Sequence, residues 1–299
     1  MPETIESYLI ELKAALSGAD PAVVQDAVYD AEEYLRSAAA ETGGTLEAIA
    51  AAIDAYGSPA EIAQAYRDTE RTVAAALRRP APVKSSNPLA RFFSVIADPG
   101  AWGALSYMLL SLATGILYFT VVVVGLSLSA GLMVLIIGVP VALLFIAAVR
   151  AISLAEGRIV EGLLGQRMPR RPRMAGMATP GESFWQRIKN WLTDYRTWTT
   201  MLYMLLMLPL GITYFTVVVS ALAVSLATFA APIVQWVANT PVIRIGEWGY
   251  LIEPWGAPFF FAGGALGFFI TLWLAKGVGY LHGTYAKVML VGRFEGGAQ

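Results

Sequence analysis

The chain spells out its longest apolar passage twice. Asp98-Pro-Gly-Ala-Trp102 opens a run through Tyr107-Met-Leu-Leu110, Gly115 and Tyr118-Phe-Thr-Val-Val-Val123. A second run opens at Asp194-Tyr-Arg-Thr-Trp198 and passes through Tyr203-Met-Leu-Leu206, Gly211 and Tyr214-Phe-Thr-Val-Val-Val219 in the same register, the mark of an internal duplication. From Trp102 to Val149 there is no charged residue. At about twenty apolar residues per crossing, that stretch holds two membrane spans. These constraints predict an all-α protein with a body of four transmembrane helices.

Charge is scarce and segregated. The chain is 57% hydrophobic and 14% charged, where soluble domains average about 25% charged. Residues 1–77 hold 14 of the 22 acids and 4 of the 21 bases, a net of −10; the remainder holds 8 acids and 17 bases, a net of +9. An acidic head therefore precedes a basic membrane body. There is no cysteine, which excludes disulfides, thiol catalysis and cysteine-based metal or iron–sulfur sites. The first residues lack the basic and apolar regions of a signal peptide, so the head is expected in the cytosol.

Residues 1–79 read as a small acidic helical domain. Ile5, Tyr8, Leu9, Leu12 and Leu16 share one helical face, and Asp20-Pro21 restarts the chain as N-cap and N1. Val24, Ala27, Val28, Ala31, Leu35 and Ala38 form the buried stripe of a second helix, with Asp26, Asp30, Glu32 and Glu33 on its wet face. Thr45 caps a third helix. In Gly57-Ser-Pro-Ala-Glu61 the glycine closes one helix and Ser58 and Glu61 form the capping box of the next. The four acids are a solvated face or a docking surface for a basic partner.

This head resembles the HAAS family, helical signalling domains found beside PadR-type regulators in bacteria. Tyr8-Leu9-x-x-Leu12, Asp30-Ala-Glu-Glu33 and the closing Tyr56-Gly-Ser-Pro-Ala-Glu-Ile-Ala63 carry the resemblance. It implies a regulatory role, exercised without a DNA-binding domain in this chain.

Residues 80–97 read as a proline-broken linker and interfacial helix. Residues 98–182 form the first membrane repeat, with spans near 103–125 and 132–152 and a basic cytosolic segment. Residues 183–299 form the second, with an amphipathic interfacial helix at 183–194, spans near 199–225 and 259–278, and an outer loop at 232–258 whose alternation predicts a short hairpin around Gly246 or Gly249. Outside the head, 15 of the 17 bases lie in the linker, the tail or the Arg150–Arg196 segment. The positive-inside rule then places both termini and that segment in the cytosol, with the 232–258 hairpin outside; the resemblance to a bacterial family implies the bacterial inner membrane. Both copies face the same way, as two helical hairpins in parallel repeat about an axis along the membrane normal.

The paired body resembles the "putative sensor" membrane domain of bacterial signalling proteins, through Asp98-x-x-x-Trp102, Asp194-x-x-x-Trp198 and the Gly-x-x-Tyr-Phe that follows each. The resemblance implies a membrane sensor whose output lies elsewhere.

Candidate sites are few. Gly115, Tyr118 and Phe119, with Gly211, Tyr214 and Phe215, make either a helix–helix seam or a pocket for a lipid or apolar ligand. Trp102, Trp198, Trp185 and Trp191 are placed as interfacial anchors. Asp98 and Asp194 cap the first spans. Arg167, Arg170, Arg171, Arg173, Arg187 and Lys189 form a juxtamembrane basic cluster, which serves topology, binds anionic lipid headgroups, or receives the acidic head in a salt-sensitive contact. His282, the only histidine, is placed just past the last span in a structural role. The spans as placed hold no acid or base, which argues against a pump or coupled transporter.

No catalytic, metal or cofactor constellation is expected. The reading is a non-enzymatic membrane sensor that relays an envelope signal to a protein partner through residues 1–77. The alternative is an accessory subunit contacting a larger complex through the 232–258 loop, and the third is a lipid-handling protein. Nucleic acid is not an expected partner, and self-association is open.

Overall fold

The computed structural model describes residues 4–76, 87–133, 137–171, 193–245 and 248–291. In the head, α1 (Ile5–Ala15), α2 (Pro21–Glu41), α3 (Leu46–Tyr56) and α4 (Pro59–Ala76) pack around the fully buried Tyr8, Leu12, Leu16 and Leu35. The predicted caps form. Asp20 accepts from the Ala22 N–H at 2.9 Å, Thr45 from the Ala48 N–H at 3.2 Å, and the Ser58 N–H donates to Glu61 Oε2 at 2.9 Å. Gly57 has a φ of 102°, where a side chain would be strained. Burial pushes the Tyr8 hydroxyl up to about 12, and it donates to the Gly57 carbonyl at 2.9 Å, tying α1 to that corner.

After α5 (Pro88–Phe93) and a 3₁₀ turn (Ser94–Ala97), four helices are long and apolar enough to cross a membrane: α6 (Pro99–Leu132), α7 (Gly138–Leu164), α8 (Tyr195–Ala238) and α9 (Ala257–Leu290). Asp98 and Asp194 cap α6 and α8, accepting from the Gly100 and Arg196 N–H groups at 2.8 and 3.1 Å. The helices outrun the expected spans. α6 continues past the expected turn at Ser127–Gly131, α7 runs on to Leu164, and α8 absorbs Pro209 and Pro232. A 44-residue helix is roughly 65 Å long at about 1.5 Å per residue, so it tilts or protrudes beyond a hydrocarbon core about 30 Å thick. The connection between α8 and α9 is correspondingly shorter than the expected 232–258 loop. Within it, β1 (Ile243–Ile245) and β2 (Trp248–Tyr250) pair antiparallel, as the alternation anticipates.

The expected parallel repeat is not what the helices adopt. α6 and α8 pack in opposite directions. A Cβ added to Gly115 would lie 2.5 Å from the Met207 carbonyl oxygen, and one on Gly211 2.3 Å from that of Ser111. Toward one end Leu126 and Ser129 share a cavity with Thr197 and Trp198; toward the other Ile96 shares one with Leu222 and Phe229. The repeats are therefore crossed hairpins, related by an axis running across α6 and α8. The two glycines permit it: each, lacking a side chain, lets the backbone of the other helix close in, at Met207–Leu208 and at Ser111–Leu112, and helix dipoles are better satisfied opposed than aligned.

The cysteine-free sequence makes this testable. Ser129→Cys with Thr197→Cys is expected to crosslink under oxidation or with a short bismaleimide. Ser129→Cys with Ser225→Cys, the pair a parallel repeat would bring side by side, is expected not to. The measurement is gel mobility of the purified double variants.

Candidate functional site

At the crossing point a carboxylate is buried. Glu156, on α7, is 1% exposed. Its Oε1 accepts from Tyr107 (2.6 Å) and Tyr203 (2.7 Å), and its Oε2 from Tyr118 (2.7 Å). His282 on α9, 2% exposed, places Nε2 2.7 Å from the Tyr107 oxygen and 3.2 Å from that of Tyr203, with Nδ1 3.2 Å from the Tyr214 oxygen. One proton arrangement serves the whole set. The Tyr214 O–H donates to Nδ1, Nε2–H donates to the Tyr107 oxygen, and the Tyr107, Tyr118 and Tyr203 hydroxyls donate to Glu156. Each of the four long helices contributes, and the two members of each repeat-related tyrosine pair divide between the acid and the histidine or meet at both.

This corrects the expectation that the spans hold no acid or base. The expected second span ended near 152, leaving Glu156 in the cytosolic segment; in the structure α7 runs 12 residues further, to Leu164, and turns Glu156 inward. His282, expected just past the last span, lies inside α9. The chemistry available is proton sharing along one hydrogen-bonded chain. Among the described residues no group of three acids or histidines could hold a metal ion.

The seam residues divide. Gly115 and Gly211 close the seam backbone to backbone and leave a ligand no room there. Tyr118 and Tyr214 turn to the polar cluster, and Phe119 is exposed. Trp102 and Trp198 are each partly exposed at a repeat opening. Trp185, Trp191, Arg173, Arg187 and Lys189 lie outside the described residues.

The second polar constellation joins head to body. After α7, Gly165 (φ 72°) turns the chain, and Met168 inserts into the core beside Val160 and Ala286. That anchor fixes Arg167, Arg170 and Arg171 against the head. Asp26 Oδ1 accepts from the backbone N–H groups of both Arg170 and Arg171 at 2.8 Å, and Oδ2 from Arg167 at 3.1 Å. Arg167 also reaches Glu70 at 3.0 Å, Arg171 pairs with Asp30 at 2.9 Å, and Lys287 on α9 pairs with Asp20. Asp26, expected on the wet face, is 6% exposed. Burial pushes its carboxyl above its ordinary value, against the pull of the two N–H donors and Arg167. Glu32 pairs within the head to Arg36 at 2.9 Å, and Glu33 stays exposed.

Breaking the cluster should show its worth. Tyr118→Phe removes a hydrogen bond to a charged group, so a loss of about 1.5–3 kcal/mol is expected. Tyr285→Phe, whose buried hydroxyl has no hydrogen-bond partner, should be near neutral. Thermal unfolding of both variants in one detergent makes the comparison.

Comparison with known proteins agrees with this architecture. The family model described as HAAS matches residues 7–65, and the one described as "Putative sensor" matches residues 107–290. No curated protein and no solved structure matches. The second match takes in the whole tyrosine–glutamate–histidine cluster and more than half of the chain, and the protein thus belongs to the "Putative sensor" family, with a HAAS domain ahead of its membrane body.

Proposed function

We propose that the protein is a non-enzymatic sensor of the bacterial inner membrane, in which the HAAS head is both the output and a part that docks on the sensing body. The observation that carries this reading is the engagement of Asp26 by three donors on the Arg167–Arg171 segment, in a chain whose body belongs to a sensor family. That segment is gripped from the other side by Met168, close to α9 and to the cluster that joins all four helices. A change in hairpin packing moves the arginines, and the head is held or released. A released head exposes Asp26 and Asp30 to a cytosolic protein partner, while the freed arginines meet anionic lipid headgroups at roughly 1 kcal/mol each. Head, Arg167–Arg171 and the end of α9 lie together, which supports one side of the membrane for all three.

A second reading is supported by the exposed Trp236, Val237, Trp255 and Phe259 around the α8–α9 tip, the surface an accessory subunit would offer a larger complex.

Charge reversal tests the docking. Arg167→Glu should free the head, seen as faster amide exchange over 20–30 and easier proteolytic release, and Glu70→Arg in the same chain should restore part of the protection. Salt should loosen the docking less than the single reversal does, since it screens the outer Arg171–Asp30 pair more than the buried Asp26–Arg167 one. Crosslinking mass spectrometry in native membranes, with and without residues 1–77, separates the two readings. A partner lost with the head supports the sensor; a membrane complex crosslinked through 239–256 regardless of the head supports the subunit.

A further inference from the structure

The two apolar grooves that line the crossed hairpins occupy the same place in each repeat. One is walled by Leu126, Ser129, Ala130 and Met133 of α6, the other by Leu222, Ser225, Leu226 and Phe229 of α8, and these are the same four positions in the 96-residue register. Each is completed by its hairpin's second helix, through Phe145 in the first and Phe268 in the second. Each is bounded by the opening of the other repeat. Trp198 lines the first, and the Trp102 ring lies 6.2 Å from that of Phe268 in the second. The duplication has thus preserved two lipid-facing slots lined almost wholly by carbon, one of them about 540 Å³ with its mouth and the other about 840 Å³.

They differ in one polar atom. In the second groove Ser225 donates to the Ala221 carbonyl at 2.7 Å. In the first, the hydroxyl of Ser129, a residue 6% exposed, has no hydrogen-bond partner. A buried hydroxyl without an acceptor is costly. Ser129 lies one turn from the end of α6, where a spanning helix leaves the hydrocarbon and lipid ester groups begin.

We propose that both grooves bind acyl chains of bilayer lipid, and that the first selects an ester-linked diacyl lipid whose ester carbonyl accepts from Ser129. Each chain wedges between one hairpin and the opening of the other repeat, so occupancy reports lipid packing to the crossing itself. That last consequence rests on the sensor reading; the binding does not.

The test uses the full chain in phosphatidylcholine–phosphatidylglycerol vesicles containing a trace of diacyl lipid with a diazirine in one acyl chain. Adducts are mapped by peptide mass spectrometry after irradiation. Labelling should concentrate at 126–133 and 222–229, well above lipid-facing Ile116 and Leu117. Ala142→Trp should remove label from the first groove alone, and Ala265→Trp from the second alone. Replacing the probe by its ether-linked analogue should lower first-groove labelling about two- to tenfold, the worth of one neutral hydrogen bond, and leave the second unchanged. Ser129→Ala should erase that ester–ether difference. Even labelling of all lipid-facing positions overturns the proposal, and equal labelling by ester and ether probes in the wild-type protein overturns the role of Ser129. Neither result touches head docking, whose own failure would leave groove labelling intact.

Discussion

A carboxylate inside an apolar bundle has to be paired or bonded, because desolvating it alone costs far more than a domain's whole margin of stability. Glu156 meets that demand with three phenol donors drawn from α6 and α8. The demand therefore reaches past one helix: the acid on α7 draws its donors from both repeats and so ties α7 to α8 as well as to α6. His282 extends the constraint to α9, since Tyr107 serves the acid as donor and the imidazole as acceptor. Apolar side chains in lipid gain little by leaving it, so packing alone specifies such a bundle weakly. The polar cluster supplies the specificity that hydrophobic burial cannot.

Much of the fold was legible in the sequence because the signals were local. The aspartate caps of α6 and α8 and the Gly57–Glu61 corner depend on neighbours within a few residues, and the duplication and the acidic head are read directly from the order and count of residues. The antiparallel sense of the crossing was not legible, since a repeat reads the same whether its copies stand parallel or opposed. Glu156 was missed for a different reason. The charge-free run ends at Arg150, and everything beyond it was counted as cytosolic. Yet Ile152, Glu156, Val160 and Leu163 recur at helical spacing, and Val160 is fully buried. An acid in register with an apolar stripe is a core acid, and of the tyrosines repeated at 107/203 and 118/214 three are its donors and the fourth serves His282. The site could have been inferred by asking where those hydroxyls go.

Head and body meet through charge rather than apolar area. Exposed ion pairs contribute at most about 1 kcal/mol each, so Arg171–Asp30, with Arg171 half exposed, is weak on its own. Asp26 differs, because two backbone N–H groups and a guanidinium converge on it in a nearly closed site. The segment that supplies them is anchored by the buried Met168, which lowers the ordering cost of docking.

Only eleven residues separate Ala76 from Pro88, where the next helix begins. A tether that short makes docking an intramolecular equilibrium with an effective concentration in the millimolar range. A contact of millimolar intrinsic affinity is then about half occupied, and each further factor of ten in occupancy ratio takes only about 1.4 kcal/mol. A competitor present at micromolar levels must bind the head roughly a thousandfold more tightly than the body does to displace it. The length of the connection, as much as the chemistry at Asp26, thus sets the threshold at which the head answers to another protein.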